Sequence, residues 1–289
     1  MECSIFTPSH ITGFFQIMDN PNPLKKGSRG VGVVIDKGVI TTIKPSKIDH
    51  KIDIKINGQN DSFNDSITRK TIELLKNKFS FEEGFKIDHN IEVPIGCGFG
   101  TSASCAMGTI MGLVHMLNIP FSYNQVASVA HQAEVELGTG LGDLIAETTG
   151  GIVIRLKEGS PEYGKLDKIV SEPFYVIAKT LGDIDTSSII QNPQHQQMIN
   201  KTGEGMLKQI LEEPTPQKFM KLSYKFAKNT SLMRADVKEM VDILNKETLG
   251  ASMAMLGNTA FALSKTPETS LEDTIISKID FCGNRFLKK

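Results

Sequence analysis

Pro94-Ile95-Gly96-Cys97-Gly98-Phe99-Gly100-Thr101-Ser102-Ala103-Ser104-Cys105 is the stretch on which the fold turns. Three glycines at alternate positions lead into small and hydroxyl residues, and Ala106 to Leu117 follows as an apolar run with helical spacing. Glycine lets a backbone turn its N–H groups inward with no Cβ in the way. A helix start adds unpaired N–H groups and a partial positive charge, so loop and helix together fit a phosphate. No lysine follows Gly100, which excludes the Gly-x4-Gly-Lys-Ser/Thr loop, and the context of a dinucleotide fingerprint is missing. Backbone N–H groups and hydroxyls must then hold the phosphates while a metal balances their charge. Ser102 and Ser104 are the natural hydroxyls. A tight turn with a close helix–sheet contact is the structural alternative.

At 289 residues the chain has room for one large domain or two modest ones. Lys plus Arg is 32 against 33 Asp plus Glu, so no global field draws in nucleic acid or membrane. No apolar run is long enough for a bilayer. Met1-Glu2-Cys3-Ser4 does not open a secretory signal. The four cysteines (Cys3, Cys97, Cys105, Cys282) lack metal spacing and read as reduced thiols of a cytoplasmic protein.

Around the glycine loop the chain reads as a mixed α+β protein. Arg29 to Val34 and Gly38 to Ile43 form a hairpin turning at Asp36-Lys37-Gly38. Ile48 to Ile56 and Phe85 to Val93 alternate as strands, with a helix over Asp65 to Phe79 between them. Helices run from Thr101 to Leu117 and, after the capping box Ser122-Tyr123-Asn124-Gln125, to about Glu136. A short helix follows over Asp143 to Thr148, then a strand over Gly150 to Arg155. Lys157 to Lys168, with two glycines and a proline, marks the boundary. Beyond it come a strand over Phe174 to Lys179, helices over Lys201 to Glu212, Pro216 to Asn229 and Ala235 to Lys246, and a loop over Met255 to Thr259.

Four further features carry possible chemistry. His131 and Glu134 lie three apart on one helix face, open to a metal, a substrate or an ordinary surface pair. Thr139-Gly140-Leu141-Gly142-Asp143 places an acidic residue at a helix start behind two glycines. Asp143 is either a cap or an ionised base for an alcohol. Arg155 ends an apolar strand, as its solvated end or as a bidentate carboxylate clamp. Gly27-Ser28-Arg29-Gly30-Val31-Gly32 leads into a strand or forms a second ligand-binding edge.

Together these residues resemble the GHMP kinase superfamily, which includes galactokinase, homoserine kinase and mevalonate kinase. Pro94 to Ala103 matches its motif Pro-x-Gly-x-Gly-x-Gly-Ser/Thr-Ser-Ala, while Thr7 to Phe15 and Ala254 to Phe261 are similar to its first and third motifs. The resemblance implies a two-lobed α+β fold. A ribosomal-protein-like lobe would span 1–160 and carry the glycine loop, and a ferredoxin-like α/β lobe would span 161–289. Within the superfamily the chain is most similar to the archaeal pantoate kinases, through Thr7 to Phe15, Gly27 to Val33, and His131 through Asp143 to Arg155. That likeness implies ATP-dependent phosphorylation of the primary hydroxyl of pantoate in archaeal coenzyme A biosynthesis.

The same likeness implies roles. Pro94, Gly96, Gly98, Phe99, Gly100, Thr101, Ser102, Ala103 and Ser104 would cradle ATP. Ser102 or Ser104 with Glu134 would hold Mg²⁺, and Asp143 would be the catalytic acidic residue. Ser28, Arg29, His131, Arg155 and Thr186 would line the pantoate pocket. His10 stands where mevalonate and galactose kinases carry a Lys or Arg that assists the catalytic Asp, and is expected to be structural. The expected partner is a small molecule, with no nucleic acid or membrane, and the expected assembly is a homodimer. The competing readings are a kinase for homoserine, shikimate or another small alcohol, and a non-enzymatic RNA- or nucleotide-binding module.

Overall fold

The computed structural model describes residues 2–48, 50–60 and 65–288. β1 (Cys3–Met18) and β2 (Gly27–Pro45) pair antiparallel along most of their length. Asp36-Lys37-Gly38 is not the expected turn: β2 runs straight through it. Pro8 pairs with Gly38 and Ser9 with Ile35, so Asp36 and Lys37 are extra residues in a bulge. The local turn signal is outweighed by pairing with β1, which a bulge preserves while bending the strand. β3 (Ile52–Ile56) is shorter than Ile48 to Ile56, and Asp49 lies outside the described residues.

α1 (Ser66–Lys78) and β4 (Phe85–Ile91) precede the glycine loop, and α2 (Thr101–Met116) leaves it. α2 is buried on nearly all sides, which fits its continuous apolar sequence. α3 (Tyr123–Leu137) starts at the expected capping box and ends at Gly138. α4 (Asp143–Glu147), β5 (Ile152–Lys157) and β6 (Lys165–Ile169) follow. One half of β2 pairs with β4 and the other with β5, which in turn pairs with β6. The 160/161 division therefore falls inside the β5–β6 hairpin. The chain passes to its second sheet between Ile169 and Tyr175.

The second sheet begins with β7 (Tyr175–Thr180), followed by α5 (Thr186–Ile190), α6 (Pro193–Gly203) and α7 (Met206–Glu212). The single helix expected over Lys201 to Glu212 is two. Asn192 caps α6 earlier in the chain, and Gly205, at φ 71°, breaks the path before α7. α8 (Pro216–Asn229) and α9 (Ala235–Glu247) cover β8 (Gly250–Met253) and β9 (Thr259–Ser264), and β10 (Ile275–Lys278) completes the sheet, in order β10-β7-β9-β8. β11 (Arg285–Phe286) returns to the edge of the first sheet beside β1.

One apolar core bridges the lobes. Phe14 and Phe15 of β1 pack on Phe226 of α8, with the Phe15–Phe226 ring centroids 5.8 Å apart. A second core lies under α1, α2 and α3. Among the described residues no helix is long and apolar enough to cross a membrane.

Candidate active site

The glycine loop is held by its carbonyls. Gly96, Gly98 and Gly100 all adopt left-handed φ, at 74°, 86° and 68°, which side chains with a Cβ rarely take. Ile184 N–H donates to Gly96 O at 3.0 Å, Thr259 Oγ1 to Cys97 O at 2.9 Å, and His10 N–H to Phe99 O at 3.1 Å. With carbonyls tied outward by both lobes, the loop curves around the start of α2, whose first-turn N–H groups have no helical partner. Gly257 completes the grip: a Cβ there would lie 2.0 Å from Cys97 O. Gly257→Ala is expected to displace the loop and cut kcat by about 10²-fold while the protein still folds, as steady-state kinetics beside a circular dichroism melt will show.

A cavity of about 590 Å³ opens between this loop, α4, β5 and α5. Gly96, Gly98, Phe99, Gly100, Thr101 and Ser102 line it, with Ser28, Asp143, Arg155 and Thr186. Pro94, Ala103, Ser104, Glu134, Arg29 and His131 do not. Pro94 is exposed before the loop, and Ala103 is buried in α2. Ser102 and Ser104 are two apart on a helix, about 200° around it, so they cannot face the same side. Ser104 Oγ turns inward to the carbonyls of Pro8 (3.2 Å) and Gly100 (3.3 Å) and is wholly buried. Arg29 alternates to the opposite face of β2 from Ser28 and pairs with Glu158 at 2.6 Å. His131 sits behind the cavity, bonded through Nε2 to Lys26 O at 2.9 Å, and burial pushes it down to about 4, so it is neutral.

Asp143 heads α4 and opens to the cavity with 26% of its side chain exposed. Its Oδ1 accepts from His10 Nδ1 at 2.7 Å and Thr12 Oγ1 at 3.4 Å. Burial alone would raise its carboxyl, but His10, the charge on Arg155 and Thr12 outweigh that and hold it below the ordinary value. Asp143 is thus ionised at neutral pH. His10 was expected to be structural, yet it touches the candidate base directly. Arg155 Nη1 donates to His10 Nε2 at 3.4 Å, so Nε2 is an acceptor and Nδ1 carries the proton. Burial lowers the His10 pKa, in keeping with a neutral ring.

Glu134 of α3 is 1% exposed and accepts from Ser102 Oγ at 2.6 Å and Thr139 Oγ1 at 3.4 Å. Burial, then the charge of Asp143, pushes it up to about 8. A buried carboxylate short of positive charge, beside a hydroxyl that faces the cavity, is a donor set of the hard oxygen type that suits Mg²⁺. Gly140 gives it room, since a Cβ there would lie 2.6 Å from Glu134 Oε1.

Glu147 escaped the sequence reading, although its place four residues after Asp143 in an otherwise apolar helix was a signal. It is fully buried with both carboxylate oxygens unpartnered, beside Gly100. Burial, then Asp143 and Glu134, raises it well above the ordinary carboxylate value. The folded chain therefore keeps a proton that the unfolded chain gives up, and stability present below about pH 4.5 is lost as pH rises. Glu147→Gln is expected to stabilise the protein at pH 8 relative to wild type, because a neutral amide avoids the cost of ionising or keeping protonated a buried carboxyl as pH rises. The gain shrinks toward pH 5 in urea titrations.

Residues 66–151 match the model of the GHMP kinases N terminal domain. The two-lobed fold is thus that of a GHMP kinase. The chain is 39% identical to a pantoate kinase of Methanocaldococcus jannaschii, over 94% of this chain and 95% of that one. It is 32% identical to a pantoate kinase of Thermococcus kodakarensis, over 95% and 92%. A solved structure described as a phosphotransferase related to the CoA biosynthesis pathway superposes with a TM-score of 0.88 at 30% identity, covering 99% of this chain and 98% of that one. The chain belongs to the pantoate kinase family.

Proposed function

We propose that this kinase transfers the γ-phosphoryl group of ATP to the primary hydroxyl of (R)-pantoate, giving 4-phosphopantoate for coenzyme A synthesis. The observation that carries the reading is the convergence on one cavity of an ionised Asp143, the buried Arg155 guanidinium and the glycine loop. Phosphoryl transfer needs alignment and charge neutralisation more than covalent help. The loop and the start of α2 receive the triphosphate. Arg155 Nε is buried without a partner, and Ser28 Oγ lies in the same place, since a Cβ on Gly142 would meet both at 2.8 and 2.2 Å. These two groups are oriented to receive a carboxylate. Thr186, at the start of α5, closes the acceptor end.

Asp143 accepts the hydroxyl proton as the acceptor oxygen bonds to the γ-phosphorus and the bond to the β–γ bridging oxygen breaks, releasing ADP. Ser102 and Glu134 would hold Mg²⁺, which when bound supplies positive charge to the triphosphate. Thr139 and Ser102 orient the Glu134 carboxylate for that task.

The test is ADP release by purified protein with ATP, Mg²⁺ and a panel of D-pantoate, L-homoserine and shikimate. Pantoate is expected to give the highest kcat/KM. Turnover of homoserine or shikimate in its place would assign the cavity to another acid. Salt-sensitive RNA binding with no ADP from any acceptor would point to the non-enzymatic module.

A further inference from the structure

Arg155 and Asp143 belong to one closed ring of side chains. Arg155 Nη1 donates to His10 Nε2 and Arg155 Nη2 to Thr12 Oγ1, each at 3.4 Å. His10 Nδ1 and Thr12 Oγ1 in turn reach the same oxygen, Asp143 Oδ1, at 2.7 and 3.4 Å. His10 and Thr12 sit two apart on β1, on one face of the strand, and both are buried. Gly32 of β2 makes room for the ring of His10, because a Cβ there would lie 2.1 Å from Nε2.

The chemistry of the ring leaves one direction for every proton. A guanidinium has donors only. His10 Nε2 and Thr12 Oγ1 must therefore accept from Arg155, and each gives its own hydrogen to Asp143. Both bonds end on Oδ1, and the carboxylate is still open to the cavity. The group placed to read an acceptor's acid function thus also determines how the base is held.

We infer that His10 and Thr12 are positioning residues that couple recognition of the acceptor carboxylate at Arg155 to the orientation of Asp143. The inference rests on the kinase reading above and adds a specificity rule to it. An acid on the acceptor, held by Arg155 Nε and Ser28 Oγ, draws the guanidinium toward it, and His10 and Thr12 follow. The acid is then felt in kcat as well as in KM. An alcohol of the same shape but without charge binds and is turned over slowly, which is discrimination at the transition state.

The test pairs pantoate with its amide, 2,4-dihydroxy-3,3-dimethylbutanamide, in wild type and in two variants. Wild type is expected to show a kcat at least about tenfold lower on the amide, beyond any rise in KM. His10→Ala loses both links and is expected to lower the pantoate kcat by about 10²-fold. In His10→Asn the amide nitrogen stands near the place of Nδ1 and still donates to Asp143, but cannot reach Arg155. It is expected to recover much of the pantoate kcat while the acid-to-amide kcat ratio closes to within about threefold, a non-additivity that reports coupling.

An acid-to-amide kcat ratio unchanged between wild type and His10→Asn would overturn the coupling and leave His10 structural. A wild-type kcat equal on the two acceptors would overturn it as well. Absence of ADP from wild type with either acceptor is a different result, which refutes the kinase assignment and the coupling with it. If the His10 variants do not fold, Thr12→Val keeps the side-chain shape, drops the hydroxyl and carries the same ratio test, with partial closing expected and an unchanged ratio again decisive against coupling.

Discussion

Asp143→Asn is expected to lower kcat with pantoate by about 10²- to 10⁴-fold, the range for loss of a general base, with KM for ATP nearly unchanged. The substitution keeps shape. The Asn carbonyl oxygen can still accept from His10 and Thr12, so the ring around Arg155 stays closed and the fold is retained. What is lost is the negative charge that Arg155 and His10 hold in place. An alanine would confound the two effects, because it leaves Arg155 without its ion partner at a buried site. Coupled ADP detection gives the rate. A value near wild type would remove Asp143 from the chemistry.

Glu134→Gln carries the second large effect. The amide oxygen can still accept from Ser102 and Thr139, so α3 and the loop remain tied. A neutral amide is a much poorer partner for a hard divalent cation than a carboxylate. We expect kcat/KM to fall by about 10²- to 10³-fold and the Mg²⁺ concentration for half-maximal rate to rise, since charge stabilisation of this kind is worth several kcal/mol. Titration of the rate with Mg²⁺ separates this from simple damage, which would lower the plateau without moving the midpoint. Ser102→Ala is expected to move the midpoint in the same direction and Ser104→Ala to leave it in place, because Ser104 Oγ is committed to backbone carbonyls.

The parts of the site that were legible in the sequence are those whose neighbours in space are also neighbours in the chain. The glycine loop and the start of α2 are one continuous stretch, and Gly140 to Asp143 is another. Arg155 and Ser28 were marked by their place at strand ends, and they meet because β5 pairs with β2. Long-range contacts decided the rest. Arg29 and Ser28 differ only in strand alternation, and Ser102 and Ser104 only in helix phase, so either member of each pair looked suitable. His10 was marked only by its place in a family motif, and only the fold brings it to a residue far along the chain. Asp36-Lys37-Gly38 has the composition of a turn, and only the partner strand makes it a bulge. The lobe boundary slipped for a related reason: a glycine- and proline-containing stretch marked a hairpin within the first sheet and not its end.

The most direct measurement is the position of the phosphate on the product. Wild-type protein with ATP, Mg²⁺ and D-pantoate is expected to form ADP and a phosphomonoester whose proton-coupled ³¹P signal is a triplet, from phosphorus on the primary –CH₂–O oxygen. A doublet, from phosphorus on the secondary hydroxyl, would contradict the placement of Asp143 and Arg155 relative to the acceptor. No phosphomonoester at all would contradict the assignment of pantoate to this cavity.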